Sequence, residues 1–112
     1  MRDNNNVFFN TREYVWEKVG TGIKRQITGY NNDIMMVLVK FEEGAVGAAH
    51  SHPHSQSTYV ESGEFEVQIG DKTQHLKKGD CFFAPPNIVH GVVCLSAGVL
   101  VDVFNPARED FL

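Results

Sequence analysis

Cysteine, clustered basic residues and long apolar runs are all scarce in this 112-residue sequence, and each scarcity excludes a class of protein. The two cysteines, Cys81 and Cys94, form no CxxC pair, so we expect free thiols on small buried strand residues rather than a disulfide framework. The formal net charge is −4 and no basic run occurs, so nucleic acid is not an expected partner. No stretch approaches the ~18 apolar residues that a membrane span needs.

The length and the N-terminal composition set two further expectations. A chain of 112 residues has room for one domain, which we expect to cover residues 1–112. The first residues are polar and lack the apolar core of a signal peptide. Together with the expected free thiols, this predicts a cytoplasmic protein.

Short apolar runs separated by glycine and proline are the main structural signal. Residues 23–28 and 64–69 alternate between apolar and polar, and further short runs cover residues 81–83, 89–95 and 99–104. The run 34–39 is apolar enough to be buried on both faces. No stretch keeps a helical period, so the pattern predicts an all-β sandwich or barrel.

Four side chains form a candidate metal site. His50 and His52 are two residues apart, so on a strand both imidazoles point to the same face. A turn at Pro53 would let Gln56 approach the same point from the next strand, and His90 follows a second glycine- and proline-containing segment. Three histidines and one amide oxygen are a ligand set for one divalent transition metal ion, whether nickel, zinc, cobalt, manganese or iron.

The two segments resemble the paired motifs of the cupin family. One has Gly44, the HxH pair, Gln56 and Gly63, and the other has Gly79, two prolines and His90. The resemblance implies a double-stranded β-helix (a jelly-roll barrel) with the metal on His50, His52, Gln56 and His90. The sequence departs from the family in having Gln56 for the usual Glu, Asn87 where Gly is common, and Cys94 for a common Asn. We assign no role to Cys94.

The last predicted strand carries further candidate site residues. Leu100, Asp102 and Phe104 share one face, and outward packing of the valines between them would leave Asp102 and Phe104 inside the barrel. A carboxylate there must be paired or functional, although an exposed position on an edge strand is the alternative. Arg25 is in phase with two isoleucines, so it either pairs internally or binds an anionic ligand.

The C-terminal tail makes the resemblance more specific. HSHPH, a Gln ligand, PPNxxHG and a terminal DVFxPxREDFL are together similar to the pectin-degradation cupins called KdgF. That resemblance implies conversion of the cyclic 4,5-unsaturated uronate left by pectate and alginate lyases to the linear 5-keto-4-deoxyuronate. It also implies that Asp102, Phe104 and Arg108 line the pocket as catalytic residues, with Asp102 in proton transfer. Arg108, Phe104 and, on weaker grounds, Arg25 would bind the small acidic sugar.

Other functions remain open at this point. A dioxygenase-like cupin is one, although the neutral Gln56 suits a redox iron site less well than a carboxylate. A non-catalytic module that binds a sugar or an acid is another, although a carboxylate at Asp102 would not improve the binding of an acidic sugar. A cupin with a purely structural role is the third. Cupins of this size usually pair, so we expect a homodimer, in which an N-terminal strand near residues 7–9 could be exchanged.

Overall fold

The protein is built from eight antiparallel strands. The computed structural model describes residues 6–112. In chain order the strands are β1 (Glu17–Gly20), β2 (Ile23–Tyr30), β3 (Met35–Phe41), β4 (Val46–His50), β5 (Ser55–Ile69), β6 (Lys72–Lys77), β7 (Cys81–Ala84) and β8 (His90–Asn105), followed by a 3-10 turn at Glu109–Phe111. The all-β prediction is confirmed. No helix in residues 6–112 is long and apolar enough to cross a membrane.

Two long strands, β5 and β8, divide the sheet into two layers. Near their middle the pairing register shifts between Val60 and Phe65, where the strands bend. On one side of the bend, β8 pairs with β3 and β5 pairs with β7; on the other side, β8 pairs with β4 and β5 pairs with β6. The layers face each other across the core, where the ring centroids of Phe41 and Phe65 are 5.2 Å apart. This is the jelly-roll barrel that the sequence predicted.

The crossing of β5 and β8 leaves no room for side chains. Gly63 has a φ of 81°, and a Cβ there would lie 2.5 Å from the carbonyl oxygen of Ser96. A Cβ on Gly98 would overlap the backbone at Ser62 and Gly63. Glycine at both positions therefore permits the close approach of the two strands that forms the barrel.

Two expectations about burial were wrong. The run 34–39 is covered on one face only: Met35 and Val37 are fully buried, whereas Ile34 and Met36 are 51% and 42% exposed. The reason is that β3 lies in an antiparallel layer with only one side against the core. Of the two free cysteines, Cys94 is buried as expected, but Cys81 points outward from β7 and is exposed.

The N-terminal segment packs across the outside of β2. Gln26, which faces outward, is only 1% exposed because this segment covers it, and its Nε2 donates to the carbonyl oxygens of Thr11 and Tyr14, at 3.0 and 3.1 Å. Residues 7–9, where a strand was expected, have no strand structure within the single chain.

Candidate metal centre and adjoining cavity

Three histidines converge at one end of the barrel. His50 ends β4 and is the cross-strand partner of His90, which begins β8, while His52 lies in the loop before β5. The ring of His90 has its centroid 4.5 Å from that of His50 and 4.7 Å from that of His52. One ligand nitrogen from each histidine lies within 4.8 Å of the other two. The cluster is compatible with a single divalent metal ion.

Backbone carbonyls orient all three imidazoles. The Nδ1 atoms of His50, His52 and His90 lie 2.9, 3.1 and 3.0 Å from the carbonyl oxygens of Ala48, His54 and Ile88, respectively. A carbonyl oxygen can only accept, so each Nδ1 carries the proton and donates it. Each neutral ring therefore presents the lone pair of Nε2 to the centre, and the rings are fixed as metal ligands need them to be.

Gln56 turns its amide oxygen toward the same point. Its Oε1 lies 3.0 Å from Nε2 of His52 and 3.1 Å from Nε2 of His90, while its own Nε2 donates to Oγ1 of Thr58 at 3.0 Å. With the Nδ1 atoms protonated, no proton lies between Oε1 and the two nitrogens. Lone pairs meeting at this distance repel each other unless a cation lies between them. Ligands at ~2.1 Å from one ion and at right angles are about 3 Å apart, so the donor set fits a metal.

Burial favours the neutral form of two of the imidazoles. His52 and His90 are 6% and 3% exposed, and this burial lowers the pKa of both, with Arg108 and the neighbouring histidines adding to the effect. A neutral imidazole is the form that binds a metal. His50 is the exposed member of the group.

The turn at Asn87, in the second cupin motif, is hydrogen-bonded to the first motif. Asn87 has a φ of 67°, a left-handed conformation that asparagine tolerates where the family commonly has glycine. Its N–H donates to the carbonyl oxygen of His52 at 2.7 Å. The two sequence motifs are thereby joined by a backbone hydrogen bond next to the metal ligands.

A cavity of about 140 Å³ lies beside the histidines inside the barrel. Its polar lining comprises His50, His90, Gln56, Asp102 and Arg108, and its apolar lining includes Phe41, Phe82, Leu100, Phe104 and Phe111. Asp102 and Phe104 thus face inward, as the alternation on β8 predicted. Among the described residues that line this cavity, Asp102 is the single carboxylate.

Asp102 is tied to the amide side of Gln56. Its Oδ1 accepts a hydrogen bond from Oγ1 of Thr58 at 2.7 Å and a longer one, 3.4 Å, from Nε2 of Gln56. Burial raises the pKa of Asp102 to about 6, although the Thr58 hydrogen bond and the charge of Arg108 oppose the rise. Thr58 was not singled out from the sequence, yet it is in phase with Gln56 on β5 and alternation alone could have found it.

Arg108 and Phe104 also line the cavity. Arg108 is 8% exposed, and its Nε and Nη2 donate to the two carboxylate oxygens of Asp110, at 3.0 and 2.8 Å. Its guanidinium carbon lies 5.1 Å from the ring centroid of Phe104, which in turn packs edge-on against His52. The arginine is therefore held at the cavity by both charge and aromatic contacts.

Arg25, the remaining candidate from the sequence, lies farther out. Arg25 is not part of the cavity lining; its Nε donates to Oε1 of Glu17 at 2.7 Å, and its guanidinium stacks on Phe111 at 3.9 Å. His54 lies beside the site, with its ring 5.3 Å from that of His52. Phe111, which lines the cavity, comes from the irregular tail, where no periodicity marks it.

Fold and site together define a cupin. The chain belongs to the cupin family, because residues 37–104 match the family model of the cupin domain. This match spans β3 to β8 and includes all four expected metal ligands.

Within the cupins, the chain is similar to KdgF proteins. It is 48% identical over 107 residues to the pectin degradation protein KdgF of Dickeya dadantii, which covers 94% of this chain and 97% of that protein. The structure of KdgF from a Halomonas species superposes with a TM-score of 0.92 at 41% identity, covering 96% and 100% of the two chains. An RmlC-like cupin from Shewanella frigidimarina gives a TM-score of 0.93 at 44% identity, covering 96% and 97%.

The donor set predicts that a divalent ion stabilises the fold. At an ion concentration of about 100 times Kd, the stabilisation is ~2.7 kcal/mol, which raises Tm by about 10 °C in a domain of this size. His90→Ala should lose most of this rise, because one of the buried nitrogens is removed. Thermal unfolding with and without added nickel or zinc measures it. His75→Ala is the control, since His75 is an exposed residue on β6; an equal rise in His90→Ala would contradict the assignment.

Proposed function

We propose that the protein catalyses the ring opening of a cyclic 4,5-unsaturated uronate monosaccharide to the linear 5-keto-4-deoxyuronate, using one divalent metal ion. The observation that carries the proposal is the cavity itself, in which one carboxylate, Asp102, lies beside the histidine cluster while Arg108 offers a cation for an acidic sugar. The similarity to KdgF supports a role in pectin degradation and uronate metabolism.

The proposed reaction is an isomerisation and needs no oxidant. The hydroxyl on C1 loses its proton, and the bond between C1 and the ring oxygen breaks to give an aldehyde. The electron pair of the broken bond passes to the ring oxygen on C5, which becomes an enolate. C4 then takes up a proton, the C4–C5 double bond is lost and C5 becomes a ketone. One proton moves from oxygen to carbon, so one acid–base group is sufficient.

Asp102 is the proposed proton carrier. Its Oδ1 accepts from Thr58 and Gln56, which fixes the plane of the carboxylate. Within the described residues, no hydrogen bond is made by Oδ2, which leaves that oxygen to take the proton from the C1 hydroxyl and return it at C4. A carboxylate held by neighbours in this way loses little orientation entropy when it reacts.

Arg108 and Phe104 are proposed to bind the sugar. Arg108 gives two of its five N–H donors to Asp110, one from Nε and one from Nη2, and we propose that Nη1, which makes no bond to Asp110, meets the substrate carboxylate. The ring of Phe104 would pack on a face of the sugar and exclude water from the enolate. Arg25, paired with Glu17 and stacked on Phe111, would act on this site through its neighbours.

The proposed ligands of the ion are His50, His52, His90 and Gln56. Nickel, zinc, cobalt, manganese and iron all suit such a set. When bound, the ion supplies positive charge for the substrate carboxylate and for the oxygen on C5. Because Gln56 is neutral, the protein ligands cancel none of that charge. We place the reaction in the cytoplasm, in keeping with two free cysteines.

Asp102→Asn should lower the rate of ring opening by about 10²–10⁴-fold, because the amide keeps the shape but cannot carry the proton. Lyase-generated unsaturated uronate is mixed with metal-loaded protein, and loss of the double-bond absorbance is followed. A sample without protein is required, since the linear form also arises slowly without a catalyst. Asp102→Asn should leave the metal content and Tm close to those of the wild type.

Two results would count against the proposal. A wild-type rate equal to that of the sample without protein, with the ion bound, would exclude the reaction. Full activity in Asp102→Asn would remove the carboxylate from the proton transfer and leave ring opening to another group.

The proposal includes a homodimer. The outer face of the layer that contains β3, β5 and β7 carries Met36, Tyr59 and Phe83, each 42–54% exposed. Apolar side chains on one face are typical of a surface that pairs with another copy. Light scattering should give twice the chain mass of 12.5 kDa. Phe83→Glu should lower it toward one chain, whereas Val46→Glu, on the opposite layer, should not. A single-chain mass for the wild type would overturn this part.

A further inference from the structure

We propose that the C-terminal 3-10 turn is a positioning element for Arg108: Phe111 and Asp110 hold the guanidinium so that its Nη1 end faces the bound sugar acid. The inference rests on the proposed function and adds to it two positioning residues, neither of which is among the candidates from the sequence. It also gives the turn a role in selecting ligands with a carboxylate.

Asp110 fixes the plane of the guanidinium. It lies two residues after Arg108 and accepts from both Nε and Nη2, so that the fork is bidentate. The hydrogen bond from Arg108 lowers the pKa of Asp110, which keeps the carboxylate ionised and the pair intact. Among the described residues, Nη1 has no hydrogen-bond partner. Because the guanidinium is planar, the bonds from Nε and Nη2 also set the direction of the N–H groups on Nη1.

Phe111 holds the same guanidinium by stacking against it. The guanidinium carbon of Arg108 lies 4.3 Å from its ring centroid, and that of Arg25 lies 3.9 Å from it. The ring also packs edge-on against Phe104 at 5.8 Å. Since Arg25 is itself paired with Glu17 on β1, the stack connects the turn to β2 on the barrel wall. Phe111 therefore cannot shift without breaking several contacts.

The backbone before the turn is anchored as well. Ala107 is 5% exposed, and its N–H donates to the carbonyl oxygen of Asn32 at 3.3 Å. The N–H groups of Phe111 and Leu112 close the turn onto the carbonyl oxygens of Arg108 and Glu109. Arg108 thus leaves a fixed backbone position, and what remains to be set is the direction of its side chain.

The charge balance of the pair explains the selectivity. Asp110 offsets part of the charge of Arg108, so the contribution of Arg108 to binding depends more on a direct hydrogen bond than on long-range attraction. A carboxylate binds more tightly when it meets Nη1 at hydrogen-bond distance and at the correct angle. This geometry favours a planar carboxylate whose position is fixed by the rest of the sugar. Loss of the positioning residues should therefore weaken binding more than it slows the proton transfer at Asp102.

The test uses Phe111→Leu and Asp110→Asn, with Phe111→Tyr as the conservative variant that keeps the aromatic ring and Val15→Ala as a remote control. Val15 is 86% exposed. The first readout is the ¹H–¹⁵N signal of Nε of Arg108, assigned by its loss in Arg108→Lys. Stacking on Phe111 should shift it by ring current, and Phe111→Leu should abolish that shift while Phe111→Tyr keeps it. This readout needs no substrate.

The second readout is binding of D-galacturonate, a saturated sugar acid, to the metal-loaded protein, together with KM and kcat for the unsaturated uronate. Phe111→Leu and Asp110→Asn should each weaken binding and raise KM about 5–30-fold, with kcat changed less than about 2-fold. Phe111→Tyr and Val15→Ala should stay near the wild type. Melting curves establish that each variant is folded. If Phe111→Leu does not fold, Asp110→Asn still tests the proposal, because the side chain of Asp110 is largely exposed.

The outcomes separate the two proposals. An unchanged Arg108 signal in Phe111→Leu, or unchanged galacturonate binding in both variants, overturns the positioning role even if the enzyme is active. A wild type that binds no galacturonate overturns the role in ligand selection. A wild type that binds galacturonate in the predicted way but does not open the unsaturated uronate upholds the positioning role and overturns the proposed function.

Discussion

The meeting of lone pairs at one end of the barrel is the constraint on which the rest of the site depends. Three imidazole nitrogens and the amide oxygen of Gln56 face one another, with the oxygen 3.0–3.1 Å from two of the nitrogens. Each imidazole is prevented from turning away by a backbone carbonyl at Nδ1. Such an arrangement is costly in a buried place unless a cation joins the donors. The fold produces this arrangement of donor atoms by pairing His50 with His90 across two strands and by a backbone hydrogen bond from the Asn87 turn to His52.

The same amide connects the metal centre to the proposed acid–base group. The oxygen of Gln56 faces the imidazoles, and its nitrogen donates to Thr58, whose hydroxyl donates to Asp102. A glutamate at this position would have no N–H for Thr58 and would add a negative charge close to Asp102. The glutamine therefore does two things: it leaves the charge of the ion uncancelled, and it lets the half-buried carboxylate of Asp102 remain beside the ligands.

Much of this site could be predicted from the sequence because strand alternation has an unambiguous period. The inward direction of Asp102 and Phe104 follows from their parity with Leu100. The meeting of His50 and His52 was expected from the same rule, but β4 ends at His50 and His52 reaches the cluster from the loop that follows. The exposure of Met36 could not be predicted, because an apolar run does not reveal that one face of a layer lacks a cover. Gln26 is buried by an irregular segment, and Asp110 and Phe111 lie in a tail without periodicity. Contacts made by irregular backbone depend on tertiary structure that no local pattern encodes.

X-ray absorption at the metal edge, on protein loaded with one equivalent of nickel or zinc, tests the central claim most directly. The account predicts one ion per chain, only nitrogen and oxygen neighbours at about 2.0–2.2 Å, and the multiple-scattering signature of three imidazoles, reduced to two in His90→Ala. Sulfur in the coordination shell, fewer than three imidazoles in the wild type, or no retained ion after loading would contradict it.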